Sequence, residues 1–193
     1  MTSRPRVIGL YSPAPQSGKT AVAYELQQHG YISVSFASPL KRMLGIFLSS
    51  AGYGHEQIEH MLFERKENKI PEFGVTPRQM MQTLGTEWGR MCVGPDVWVN
   101  VWKSSVQKWL DGGLNVVVDD MRFPNEWEAV KSLNGECWQI TRPQTARNTE
   151  HLSEGALDNH KFEQLLSNDA DLPDLYHQVR IALLTPPALV QKC

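Results

Sequence analysis

Val7-Ile-Gly-Leu-Tyr-Ser-Pro-Ala-Pro-Gln-Ser-Gly-Lys-Thr20 is the stretch that decides the fold. The β-branched apolar run Arg6–Leu10 predicts a short strand, a loop rich in Pro, Ser and Gly follows it, and Thr20 to His29 reads as a helix that Gly30 stops. Strand, loop and helix in that order are the context in which Ser17-Gly18-Lys19-Thr20 makes a phosphate cradle of the Walker A kind. Backbone N–H groups and the helix N-terminus then face phosphate oxygens, Lys19 bridges the outer phosphates, and the Thr20 hydroxyl is placed to hold Mg²⁺. One position departs from G-x-x-x-x-G-K-[ST]. Its first glycine falls at position 13, where the chain has Pro13. Proline cannot take a positive φ and has no N–H to donate, so the front of the loop must follow another path.

Outward from this segment, strands and helices alternate. Tyr31 to Phe36 predicts a second strand, and Ser38-Pro39 predicts an N-cap followed by proline at the first position of a helix whose Leu40, Met43, Leu44 and Phe47 face the core. Residues 54–111 read almost wholly as helix, interrupted at Lys69-Ile-Pro-Glu-Phe-Gly74 and Val93-Gly-Pro95, with Thr76-Pro77 and Asp96 as further helix starts. This block is too long for one crossover helix and predicts an inserted helical arm. Leu114–Asp120 is an apolar strand closing on two carboxylates; Pro124 opens a helix that Asn134-Gly135 ends, and Glu136–Thr141 and Phe162–Leu166 give two more strands. Leu172–Leu184 is the last helix. Residues 142–160 are polar and suit a lid over a ligand, and 185–193 form a tail. The expected architecture is therefore α/β: a P-loop NTPase-like parallel sheet of about five strands, with helices on both faces and an inserted helical arm, in one domain over 1–184. Ligands of such sheets sit at the carboxyl ends of the strands.

Composition narrows the function. A formal net charge of −2 in 193 residues argues against a protein that coats a nucleic acid polymer or a membrane by bulk electrostatics, so any anionic ligand needs a local cation cluster. Lys19, Lys41, Arg78 and Arg122, with Arg142 or Arg147, are the candidates. Cys92, Cys137 and Cys193 show neither disulfide nor zinc spacing and fit a reducing compartment. The N-terminus lacks the apolar run of a signal peptide and no stretch approaches a membrane span, so a cytoplasmic location is expected. His55 and His60, five apart, make poor metal spacing, and Met43, Met61, Met80 and Met81 read as core filler.

Asp119-Asp120-Met-Arg122-Phe-Pro-Asn-Glu126 follows the buried-looking strand at 114–120. Carboxylates there are placed to hold Mg²⁺ through water or to contact substrate, and only one of two adjacent acids faces a given side of a strand. The planar guanidinium of Arg122 suits a phosphate, with Glu126 as a surface ion-pair partner in the plainer view. Trp98 suits base stacking and core packing equally, since Trp102 and Trp109 follow at helical spacing.

Taken in order, Ser17-Gly-Lys19, Phe36-Ala-Ser-Pro-Leu-Lys41, Thr76-Pro-Arg-Gln-Met-Met-Gln-Thr-Leu-Gly-Thr-Glu-Trp-Gly-Arg90, Asp96-Val-Trp98, Asp120-Met-Arg-Phe-Pro-Asn-Glu126 and His151-Leu-Ser-Glu154 span most of the chain. This set resembles the bacteriophage deoxynucleoside monophosphate kinases, a branch of the P-loop nucleoside monophosphate kinases. The resemblance implies transfer of the γ-phosphate of ATP, with Mg²⁺, to a deoxynucleoside monophosphate. It implies that Lys19 bridges phosphates, that Arg78, Trp98, Asp120, Arg122 and Glu126 form the monophosphate site, and that Phe36 and Lys41 border it. Many members carry Asp after the P-loop lysine, where this chain has Thr20. Small-molecule substrates are the expected partners, and a homodimer is left open. Two other readings fit the same residues: a P-loop protein that binds nucleotide without turnover, and a P-loop kinase of another small acceptor.

Overall fold

Val7–Tyr11 (β1) is buried along its whole length, as a strand covered on both faces must be, and it occupies the middle of a five-stranded parallel sheet. A computed structural model describes residues 7–143 and 155–184 of the chain. The strand order is β2-β3-β1-β4-β5, with β2 at Tyr31–Ser33, β3 at Asn115–Val118, β4 at Glu136–Thr141 and β5 at Gln164–Ser167. Gly9 pairs with Val118 on one side and Cys137 on the other, so the carboxyl ends of the three central strands open on one edge.

Alternation along β1 decides what covers each face. Ile8 and Leu10 join Val117, Trp138, Ile140 and Leu166 in a core shared with Val22 and Leu26 of α1 (Lys19–Gln28) and Leu175 and Val179 of α7 (Leu172–Leu184). The other face carries Gly9, over which Met121, from the loop after β3, and Val130 of α6 (Pro124–Ser132) close tightly. Within the first core, the buried Glu25 carboxylate accepts from Arg180 Nη1 at 2.8 Å, which offsets its desolvation. Cys137, buried in β4, has its thiol pushed up to about 12, chiefly by desolvation and then by the Glu163 carboxylate. It is therefore an inert core residue.

The chain divides into two compact units, residues 1–36 with 103–193 and residues 37–102. The second is helical: α2 (Ser38–Ser50), α3 (His55–Glu59), α4 (Pro77–Thr83) and the start of α5 (Val97–Asp111). π-helical turns over His60–Glu64 and Leu84–Val93 extend α3 and α4, closed by the bonds Arg65 N to His60 O at 2.7 Å and Gly94 N to Gly89 O at 2.9 Å. The helical unit begins at Ala37 and ends at Trp102, against expected bounds of 54 and 111. The reason is packing: Leu44 and Leu48 of α2 share a core with Ile58, Leu62 and Ile70, whereas α5 passes out of the unit after Trp102.

Local signals fared unevenly. Thr76 caps α4 as expected, its Oγ1 accepting from Gln79 N at 3.1 Å. Ser38, expected as a cap, is instead the first helical residue, with Ala37 in the cap position and proline second. In α2 the buried positions are Leu40, Leu44 and Leu48, one strict i, i+4 row, while Met43 and Phe47 are exposed. Residues 1–6, Arg147, His151–Glu154, much of the expected lid and the 185–193 tail lie outside the described residues. Among the described residues no helix is long and apolar enough to cross a membrane.

Gly135 joins α6 to β4 where a Cβ would stand 2.7 Å from the carbonyl oxygen of Val130 and 2.8 Å from that of Val7. Backbone atoms cannot yield as side chains do, so Gly135→Ala should destabilise the sheet unit by about 1–3 kcal/mol, read from urea unfolding.

Candidate active site

At the carboxyl edge of the sheet, each strand end meets a neighbour through a hydrogen bond. The loop between β1 and α1 turns on Gln16 (φ 53°) and Gly18 (φ 106°), two left-handed positions that aim successive N–H groups to one side. Its front donates little: Pro13 and Pro15 have no N–H, and Ala14 N is bonded to Ser12 Oγ at 3.3 Å. The departure at Pro13 therefore leaves the available N–H donors to the rear of the loop and the first turn of α1, where helix geometry leaves N–H groups without intrahelical acceptors. Lys19 and Thr20 open that helix, with Thr20 exposed.

Two later strands hold this loop. Asn168, just after β5 and buried, donates from Nδ2 to Ser17 O at 2.9 Å, and Arg142, just after β4, donates from Nη1 to Gln16 O at 3.3 Å. Ser17 Oγ is buried with no partner among the described residues, an unsatisfied hydroxyl within the loop. Tyr11, at the end of β1, donates to Asp158 Oδ1 at 2.6 Å and stacks on Phe162. Burial, then that carboxylate, holds its hydroxyl well above the ordinary phenol range. Asn168 went unnoticed in the sequence; its signal is a polar residue directly behind the apolar strand at 164–167.

On the other side of β1, the strand stops at Val118, so Asp119 and Asp120 stand in a loop. Asp120 Oδ1 accepts from Phe36 N at 2.9 Å, tying the end of β3 to the segment after β2. Phe36 is buried, so it borders this edge through its backbone. Glu126 differs from expectation: it is 3% exposed, and its Oε2 accepts from Arg122 N at 2.7 Å and Phe123 N at 3.1 Å. It is a capping-box carboxylate at the start of α6, because Arg122 precedes the helix and does not share a face with it. The consequence falls on Arg122, whose backbone is fixed while its exposed guanidinium makes no hydrogen bond or ion pair among the described residues.

The other predicted residues belong to the helical unit. Arg78, on α4, is exposed and ion-paired with Glu67. Lys41 Nζ stands 4.3 Å from the centre of the Phe63 ring. Trp98 is buried, its Nε1 donating to Gly85 O at 2.9 Å and its ring 6.0 Å from that of Trp88, so here the indole packs the helical core. No cluster of three or more metal-binding His, Cys, Asp or Glu side chains occurs among the described residues.

The deoxynucleotide monophosphate kinase family matches residues 49–179. A protein of Acanthamoeba polyphaga mimivirus, described as a putative deoxynucleotide monophosphate kinase, is 30% identical over 90% of this chain and 93% of its own. The deoxynucleoside-5'-monophosphate kinase of Escherichia phage T5 is 34% identical over 76 residues, which are 39% of this chain and 30% of that one. Among solved structures, the dephospho-CoA kinase of Campylobacter jejuni superposes with a TM-score of 0.52 at 11% identity, covering 94% of this chain and 97% of that one. The fold is that of the P-loop kinases. The chain belongs to the deoxynucleotide monophosphate kinase family.

Gly18→Ala would force an L-residue to φ 106° with its Cβ 2.6 Å from Asn168 Nδ2. The expected outcome is a loss of about 1–3 kcal/mol in stability together with loss of ATP binding, measured by thermal unfolding and titration calorimetry.

Proposed function

We infer that the chain is a deoxynucleoside monophosphate kinase that transfers the γ-phosphate of ATP to a deoxynucleoside monophosphate, giving the diphosphate and ADP. The observation that carries this reading is the pairing of a loop presenting N–H donors at the end of β1 with a backbone-clamped arginine after the neighbouring β3, Arg122, whose guanidinium has no partner among the described residues, in a chain of this family.

An oxygen of the acceptor phosphate attacks the γ-phosphorus as the bond to the β-phosphate oxygen breaks and ADP leaves. The acceptor is already an anionic nucleophile, so positioning and charge neutralisation matter more than a general base. The rear of the loop and the first turn of α1 bind the donor phosphates, and Lys19 offsets the negative charge between β- and γ-phosphates. Arg122 suits the acceptor phosphate, since Glu126 removes much of the backbone freedom that its guanidinium would otherwise lose on binding. Asp120 fixes the segment that follows β2 through Phe36 N. Arg142 steadies the loop through Gln16 O.

Mg²⁺ carried by the nucleotide would be held at the exposed Thr20 hydroxyl, an oxygen donor suited to that ion. When bound, it screens the outer phosphate oxygens. In the helical unit, Arg78 and Lys41 are assigned to the acceptor. Arg78 must exchange Glu67 for a phosphate, a small cost for an exposed pair.

A coupled assay of ADP formation tests the reading. Wild-type protein should turn over only when a deoxynucleoside monophosphate is present. Lys19→Ala should lower kcat by about 100-fold or more. Arg122→Ala should raise KM for the monophosphate at least tenfold, about 1.4 kcal/mol, with KM for ATP little changed. ATP affinity without turnover would favour a binding protein, and equal loss of both KM values in Arg122→Ala would refute the role given to that arginine.

A further inference from the structure

Asn168 stands where the fold does not need a polar side chain. It follows β5 and is 8% exposed, and backbone already holds its place, since Asn168 N donates to Thr141 O at 2.8 Å. It does not cap the helix that comes next: Asp171 does, its Oδ1 accepting from Asp174 N at 3.0 Å. An apolar residue would fill the space beside Gly18 and Leu175 without the desolvation that a buried amide suffers. The amide instead gives its donor to the loop between β1 and α1, Nδ2 to Ser17 O at 2.9 Å, and makes no other hydrogen bond among the described residues. Only the nitrogen can face that carbonyl, so its partner fixes the orientation of the amide.

What that bond controls follows from peptide geometry. In a trans peptide the C=O and the next N–H point in opposite directions within one plane. Holding Ser17 O toward Asn168 therefore turns the Gly18 N–H to the far side, away from the buried amide. That N–H has no hydrogen-bond partner among the described residues, and it stands immediately before Lys19 and Thr20 at the start of α1. Glycine tolerates φ 106° and much else besides, so the Ser17–Gly18 peptide does not hold this direction unaided. Ser17 Oγ, buried without a partner, offers the loop no tie of its own. Arg142 holds the preceding carbonyl, Gln16 O, but from an exposed position and at 3.3 Å, so the buried bond is the firmer of the two. Gly18 and Asn168 also fit each other: Nδ2 lies 2.6 Å from where a Gly18 Cβ would stand.

We propose that Asn168 is a positioning residue of the donor site: through the Ser17–Gly18 peptide it aims the Gly18 N–H at the phosphates of ATP, from the side of the loop opposite the ligand. The assignment rests on the kinase reading for the identity of that ligand. It adds a determinant of ATP affinity that lies behind the loop, in the turn after β5, and that acts on the donor alone.

Titration calorimetry with ATP, melting curves and steady-state kinetics on the full chain test this. Asn168→Leu removes the donor and adds no charge; it should keep the melting temperature, weaken ATP binding about tenfold and leave KM for the monophosphate unchanged. In Asn168→Asp the introduced carboxylate cannot donate. This variant should lose ATP affinity at about pH 8 and regain it as the pH falls to about 5 and the carboxyl takes up a proton, a gain that wild type does not show. The ¹⁵N–¹H resonance of Gly18 should move downfield when ATP binds to wild type and stay in place in Asn168→Leu. If Asn168→Leu does not fold, the acid recovery of Asn168→Asp decides. Wild-type ATP affinity in Asn168→Leu, or no acid recovery in Asn168→Asp, overturns the positioning role and leaves the kinase reading intact where wild type forms ADP with a deoxynucleoside monophosphate. ATP binding by wild type without turnover removes the kinase reading alone, and the two variants still decide the role of Asn168; no ATP binding by wild type removes both.

Discussion

A polyanion can be held by neutral backbone only if several N–H groups are kept pointing at one place, and in this chain that constraint falls on the seven residues between β1 and α1. Two of them take left-handed conformations, and two prolines remove donors from the loop's front. Such a path is strained if left to itself. It persists because Asn168 and Arg142, from the ends of β5 and β4, each hold a carbonyl of the loop. The conformation of the loop is thus a property of three strand ends and not of one motif.

The sheet makes that convergence possible. With every strand parallel, all five carboxyl ends face the same way, and in the order β2-β3-β1-β4-β5 the connection leaving β1 runs toward one edge while those leaving its neighbours β3 and β4 run toward the other. The apolar alternation of β1 supplies the adhesion. Ile8 and Leu10 bind the sheet to α1 and α7, and the small Gly9 admits α6. Glu126 then carries this order into chemistry, because the carboxylate that caps α6 also fixes the backbone of Arg122. One side chain thus caps the helix and fixes the residue that precedes it.

In the helical unit the same economy appears with apolar groups. The i, i+4 row of α2 that packs inward leaves Met43 and Phe47 facing outward, where with Met80, Gln79 and Thr83 of α4 they line one cavity. Trp98 gives the unit rigidity through its bond to Gly85, which frees Trp88 to remain open to solvent. Of two tryptophans ten residues apart, one serves the core and the other lines a surface.

The sequence by itself determined the strand and helix order, the strand–loop–helix setting of Ser17–Thr20, the end of β4 at Thr141 and the bounds of α7, because these depend on short-range periodicity and on the preferences of Pro, Gly and Thr. It also brought Arg122 and Asp120 forward, since both stand directly behind a buried strand. What it left undecided were choices between equivalent local patterns: whether Glu126 pairs with a side chain or caps a helix, whether Trp98 stacks or packs, and which row of α2 turns inward. Asn168 stayed hidden altogether. Each of these depends on a partner far along the chain or on an adjoining turn, and a buried polar or aromatic group takes its role from whichever partner satisfies it. Only the tertiary structure decides that, because burial makes an unsatisfied group costly while the sequence does not say which groups are buried together.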